Sequence, residues 1–391
     1  LTDRRDTCIL TWVKKGRLFM KRMILSAWTI GTDCYEQVYD IVRRYGTKAA
    51  VIGGKTALSK GYGPLCDALK GTDMELTEPI WFGGEASYEN VDMLMAKPEV
   101  QNADMIFAFG GGRALDTCKC AADKMNKHIF TFPTLSSNCA PSTSISIMYY
   151  PDGSARDNCY LKRCPEHTFI NSAIVADSPA DYFWAGIGDA LAKEYETEFC
   201  SRVPRAQKKV THTPLLGVQI APCITETLIN NGETAYNQVK NKTPGLEMEE
   251  VAQSVIITTG LCSNLTAGAM RVPPYYYNSS LAHAFYYGTT VCKGAEKHLH
   301  GEVVALGLLV MLTFDKQFET RDKLIDFYQT IDLPICMDDI ELDLNDVDKL
   351  IDKASTFIEW GIAPCTVPYE IKKEAFKQAI IDTDKIGKRR K

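Results

Sequence analysis

The chain has 391 residues, of which 45% are hydrophobic and 24% charged, with a formal net charge of −5. That length exceeds one hydrophobic core and predicts two lobes. The acidic balance argues against a nucleic-acid or membrane-surface partner, and the longest apolar run, Val303–Leu312, is too short to span a bilayer.

The 14 cysteines form no CxxC pair and no zinc-ribbon spacing, so they read as reduced thiols of a cytoplasmic protein. Residues 1–19 are basic, lack the apolar stretch of a secretion signal and are expected to form a poorly ordered extension.

From residue 20 the chain alternates strand and helix signals. A helical stretch lies within Ile24–Gly46, before the buried strand Lys48–Gly54. "IWFGGEASYENVDMLMAK" reads as a strand end, a loop and a helix. "ADMIFAFGGG" (Ala103–Gly112), the helix "ALDTCKCAADKM" and the strand "KHIFTFPT" follow. Apolar strands separated by helices indicate a parallel sheet covered on both faces. "STSISIMYYPDGS" (Ser142–Ser154) alternates with period two and carries a PDG turn, which predicts a hairpin beside "HTFINSAIVAD". Beyond Pro179 the spacing is helical. The expected architecture is a Rossmann-like α/β lobe over 20–179, then an all-helical lobe over 180–391, with a cleft between them.

The strand–GGG–helix unit at Gly110–Gly112 has two readings. It is a tight turn into a helix, or a place where backbone N–H groups meet an anion that a Cβ would keep away. The helix behind it carries Asp116, Thr117 and Lys119, and Thr134, Ser137, Asn138 and Thr143 lie beyond the next strand. Hydroxyls past a strand's C-terminal end occupy the position where open α/β sheets bind ligands.

Five blocks then set a resemblance: "GGGRALDTCK", "FPTLSSNCAPSTSISIMYYPDG", "AGIGDALAKEYE", "LAHAFYYG" and "HLHGEVVALG", in this order. They resemble the glycerol dehydrogenase branch of the iron-containing alcohol dehydrogenases. The resemblance implies a nicotinamide-dependent oxidoreductase acting on a small alcohol or carbonyl compound, assembled as a homo-oligomer. It implies that Gly111 and Gly112 hold the pyrophosphate of NAD, with Asp116, Thr134, Ser137, Thr143, Ile145 and Tyr149 at other cofactor-contacting positions. It also implies that Asp189, His283 and His300 are catalytic metal ligands. Taken singly, these three read as a helix-start aspartate, a core histidine and a capping histidine. Together, a carboxylate and two imidazoles suit a divalent cation with open positions. A fourth ligand found in iron-dependent relatives would fall at Lys193, which points to zinc rather than iron.

Three departures bear on specificity. Cys139 replaces the aspartate that contacts polyols, which makes glycerol itself doubtful as substrate. Gly53 and Gly54 replace an acid that would hold the adenine ribose, which leaves NADP open through Lys55 or Lys60. Tyr286 and Tyr287 replace smaller polar residues near His283 and read either as substrate-shaping or as helix packing. The competing function is a carbon–oxygen lyase of the dehydroquinate synthase kind, which has the same fold.

Overall fold

The computed structural model describes residues 23–268, 275–361 and 367–391. The extension expected over residues 1–19 lies outside the described residues. Contacts divide the chain into two compact units: an α/β unit through Phe183 that also includes Thr234–Asn264, and a helical unit of Trp184–Glu233 and Leu265–Lys391. Among the described residues the chain therefore changes unit three times, where the sequence pattern places one change near 179–180. Hydrogen bonds explain the return of Thr234–Asn264. Ser142 Oγ donates to Ile256 O at 2.6 Å, and Asn264 spans the same loop through Ser144 N at 2.9 Å and Ser142 O at 3.0 Å.

The α/β unit holds seven parallel strands: β1 (Ala27–Gly31), β2 (Lys48–Gly53), β3 (Glu75–Leu76), β4 (Ile80–Trp81), β5 (Met105–Gly110), β6 (His128–Pro133) and β9 (His167–Asn171). Their order is β1-β9-β6-β5-β2-β3, with β4 also beside β2. Helices α1 (Lys55–Ala68), α2 (Tyr88–Met95) and α3 (Gly112–Met125) connect strands of the sheet. Side-chain alternation explains why both faces are covered. On β5, Met105, Phe107 and Phe109 enter one apolar cluster, and Ile106 and Ala108 enter the other. Phe109, Phe132 and Phe169 stack across three strands, with centroids 4.5 and 5.1 Å apart. Each such buried ring contributes about 1.5–3 kcal/mol.

Two elements differ from the sequence reading. Ala27–Gly31 is a strand, and the helical stretch expected around it contracts to Val38–Val42 and short flanking turns. The hairpin forms between β7 (Ile145–Tyr149) and β8 (Ala155–Tyr160), whereas His167–Asn171 joins the parallel sheet between β1 and β6. Its side chains are buried throughout, which a continuous central strand requires and a half-exposed hairpin strand does not.

Beyond Ala180 the chain is helical: α4 (Ala180–Ala206), α5 (His212–Ile220), α6 (Pro222–Lys240), α7 (Leu246–Gln253), α8 (Thr259–Thr266), α9 (Leu281–Thr289), α10 (His300–Phe314), α11 (Phe318–Thr330), α12 (Val347–Ala354) and α13 (Lys373–Arg390). Helix α10 is the centre of the helical unit and is buried continuously from Val303 to Thr313. Among the described residues no helix is long and apolar enough to cross a membrane.

Candidate metal centre and nucleotide cradle

In the helical unit three helices bring Asp189, His283 and His300 together. One donor atom from each lies within 4.8 Å of the other two. Asp189 Oδ1 is 3.5 Å from His283 Nε2 and 3.3 Å from His300 Nε2. Asp189 and His283 are buried, and His300 is half-buried.

Missing side chains set this convergence. A Cβ on Gly188 would stand 2.5 Å from Gly301 O, and one on Gly301 would stand 1.8 Å from Ala185 O. Helices α4 and α10 therefore touch backbone to backbone one residue away from Asp189 and His300. Gly307 repeats the device between α10 and α9, where a Cβ would stand 2.6 Å from Ala282 O. Interhelical distance depends on the side chains at the crossing, and glycine gives the closest approach.

Glu196 holds the second ligand in place. It lies seven residues after Asp189 on α4 and is fully buried. Its Oε2 is 2.7 Å from His283 Nδ1, while its Oε1 accepts from Ser280 N at 2.8 Å and His283 N at 3.0 Å. One carboxylate thus caps the orphan amides that start α9 and fixes the proton on Nδ1, which turns the Nε2 lone pair toward Asp189. Burial disfavours the Glu196 carboxylate, but His283 and Lys193 hold its pKa below the usual range. Burial likewise opposes a charged His283, yet Glu196 and Asp189 lift its pKa to about 10. Two carboxylates that retain a proton so firmly also attract a divalent cation. The donor set is therefore chemically suited to a metal, with one carboxylate oxygen, two imidazole nitrogens and room for further ligands.

Neighbouring residues sort by contact. Lys193 Nζ is held by Asn278, donating to its backbone oxygen at 2.7 Å and to Oδ1 at 2.9 Å. The Tyr286 ring stands edge-on to His300 with centroids 4.2 Å apart, whereas Tyr287 stacks on Phe357 at 4.4 Å. His298 Nδ1 is 2.9 Å from Glu302 Oε1, and Glu302 Oε2 accepts from Leu299 N, which caps α10 and fixes where His300 begins it. Glu196, Glu302 and the glycine crossings escape the sequence reading. The i, i+7 spacing from Asp189, which places Glu196 on the same helix face, is the signal for the first.

In the α/β unit the strand order reverses between β2 and β5: the chain proceeds outward to β3 from one and to β6 from the other. Open α/β sheets bind ligands at such a switch point, beyond the strand C-termini. The two strands end there in Gly53 and Gly110. Gly110 has φ +141°, which favours glycine, and Gly111 is the extended N-cap of α3. A Cβ on Gly112 would meet Asn138 Nδ2 at 3.1 Å. Thr134 follows β6 directly and donates its N–H to Gly110 O at 3.3 Å, and Ser137 is half-buried beyond it. Gly111, Gly112, Thr134 and Ser137 thus gather at the ends of β5 and β6.

Of the remaining expected cofactor residues, Asp116, Thr143 and Ile145 are tied inward through Lys119, which is 1% exposed. Its ammonium lies 2.9 Å from Asp116 Oδ1 and donates to Ala140 O at 2.8 Å, Thr143 Oγ1 at 3.2 Å and Ile145 O at 2.6 Å. Asp116 Oδ2 accepts from Ile147 N at 3.1 Å. Burial raises the Asp116 pKa against the pull of Lys119. Tyr149 N donates to Ala86 O at 2.8 Å. Asp116, Thr143 and Ile145 therefore join the hairpin to α3. Cys139 is half-buried just before a short turn, Ala140–Ser142. Lys60 pairs with Asp177 at 2.6 Å, while Lys55 Nζ sits 4.9 Å from the Trp81 ring centroid.

The class these features define is that of the metal-dependent oxidoreductases. A family model described as iron-containing alcohol dehydrogenase matches residues 26–172. The glycerol dehydrogenase of Thermotoga maritima is 31% identical over 70% of this chain and 73% of that protein. A solved structure of glycerol dehydrogenase from Schizosaccharomyces pombe matches with a TM-score of 0.82 at 22% identity, covering 95% of this chain and 92% of the other. Sulfoacetaldehyde reductase from Bifidobacterium kashiwanohense, solved in complex with NAD+, matches with a TM-score of 0.72 at 14% identity, covering 94% and 99%. The chain belongs to the iron-containing alcohol dehydrogenase family, in its glycerol dehydrogenase-like branch.

Proposed function

We propose that this protein transfers a hydride between a nicotinamide cofactor and a small alcohol or polyol, with Asp189, His283 and His300 holding a divalent cation. The convergence of the three donors within 4.8 Å carries this reading. When bound, the cation supplies charge that stabilises developing negative charge on a substrate oxygen, and the nicotinamide supplies the hydride acceptor. The chain's own residues supply position and environment. Glu196 keeps His283 in the donor tautomer, buried Asp189 and His283 limit water on one side, and half-buried His300 leaves the other side approachable.

Zinc is the metal of this proposal, because Lys193, one helical turn beyond Asp189, is occupied by Asn278 and adds no fourth donor. Gly111, Gly112, Thr134 and Ser137 are proposed to receive the cofactor phosphates at the ends of β5 and β6. NAD is the proposed cofactor; NADP competes, because Gly53 and Gly54 present no acid to repel a 2′-phosphate. Cys139 offers a thiol where a carboxylate would accept polyol hydroxyls, which favours substrates other than glycerol. The lyase reading is not favoured.

The test is to load purified protein with zinc, add NAD or NADP with a panel of diols and 2-hydroxy compounds, and follow absorbance of the reduced nicotinamide. Turnover abolished by a chelator and restored by metal is the expected result. Asp189→Ala and His283→Ala are expected to lose both bound metal and turnover with circular dichroism unchanged. Metal-dependent turnover retained by either variant would refute the ligand assignment.

A further inference from the structure

Cys120 and Cys159 have no part in the chemistry above. Cys120 lies on α3, eight residues beyond Gly112, and is 1% exposed. Cys159 lies on β8, opposite Ser146 of β7, and is half-buried. Their sulfurs are 3.6 Å apart, in van der Waals contact, across 39 residues of sequence. The outer strand that carries Cys159 is exposed over Ala155, Arg156 and Asp157.

We propose that Cys120 and Cys159 form a dithiol site that hydrogen peroxide converts to a disulfide and a dithiol reductant reopens, the disulfide fastening the β7–β8 hairpin to α3. The inference goes beyond the dehydrogenase reading and does not depend on it. A disulfide needs an S–S distance of about 2.05 Å, so the sulfurs must close by roughly 1.5 Å. A two-stranded hairpin outside the main sheet accommodates such a shift more readily than a central strand.

Exposure sets the order of attack. The Cys159 thiolate attacks one peroxide oxygen, the O–O bond breaks, and the departing oxygen leaves as water with the proton that Cys159 gave up. The product is a sulfenic acid at Cys159. The Cys120 sulfur then attacks the sulfenyl sulfur. The S–S bond forms, and the hydroxyl leaves as a second water with the Cys120 proton. The two thiols lose two electrons, and the peroxide gains them. The surroundings favour this order: the hydrogen bond from Cys120 holds the Cys159 pKa below that of an ordinary thiol, against burial, while the Cys120 pKa is pushed up.

The consequence lies at the seam between the hairpin and α3. The hairpin is already fastened to α3 by Asp116 and Ile147 N, and β7 carries Ile145 and Tyr149. A disulfide adds a covalent fastening next to that hydrogen bond.

The test treats the full chain with a few equivalents of hydrogen peroxide, alkylates remaining thiols after denaturation, and digests without reduction. The expected product is a peptide pair joined through Cys120 and Cys159, lighter by two hydrogens and separated by dithiothreitol. Oxidised protein is expected to show a raised Tm that dithiothreitol reverses. Cys159→Ser is expected to abolish the linked pair and the Tm shift, and Cys120→Ala serves as the second variant should the first fold poorly. Recovery of both cysteines as alkylated thiols, their separate conversion to sulfinic acids, or a link from Cys159 to Cys118 instead would overturn the proposal.

Discussion

Gly301→Ala places one methyl group where α4 and α10 touch. The new Cβ would stand 1.8 Å from Ala185 O and 3.0 Å from Asp189 Cβ. The first neighbour is backbone and cannot rotate away. Restoring a contact of roughly 3.3 Å requires the helices to part by about 1.5 Å. Metal-ligand distances tolerate only about ±0.2 Å. Asp189 rides on one helix and His300 on the other, so the separation is transmitted almost directly to the gap between their donors, now 3.3 Å. Overpacking of a core costs about 1–3 kcal/mol, and a contact this short falls at the upper end. Metal affinity is expected to drop at least as far as for a lost supporting residue, about 10–100-fold. Competition against a chromophoric chelator measures the affinity, and thermal unfolding of the metal-free protein measures the packing cost. Wild-type affinity together with an unchanged Tm would refute the claim that the glycine crossing builds the site.

Glu196→Gln, with the shape retained and the charge removed, is expected to weaken metal binding about 10–100-fold while the fold persists; equal chelator competition curves for variant and wild type would count against its role in orienting His283. Lys119→Ala strands the Asp116 carboxylate in the interior and is expected to cost about 3–5 kcal/mol in denaturant unfolding, part of which Asp116→Ala should recover in the double variant. The pKa of His167, on β9 beside Thr29, is lowered to about 4 by burial and by Arg44. Its ordinary value is 6.5, so between pH 6.5 and 4 the unfolded chain binds the proton and the folded chain does not. Stability is expected to fall as pH drops through that window, by at most about 3 kcal/mol from this group. His167→Gln should flatten the profile there, and an identical acid profile would sink the assignment.

The sequence by itself determined the features that repeat locally or stand in recognisable blocks. Alternating apolar strands and helices specify a parallel sheet, because both faces of such a sheet need cover and the residues record that burial one by one. Asp189, His283 and His300 stood out as candidate ligands because each sits in a block that resembles the family's, and the structure brings their donor atoms within 4.8 Å of one another. Tertiary structure alone decided the rest. Helical spacing in Thr234–Asn264 reports a buried face but not that the face meets the loop at Ser142. Gly188 and Gly301 are more than a hundred residues apart, and nothing in either neighbourhood says that their backbones touch. Glu196 looks like any helix acid until α9 places Ser280, His283 and a ring nitrogen around it. Periodicity encodes which side of an element is dry; which partner fills that side depends on packing between distant segments, and the donor geometry is set there.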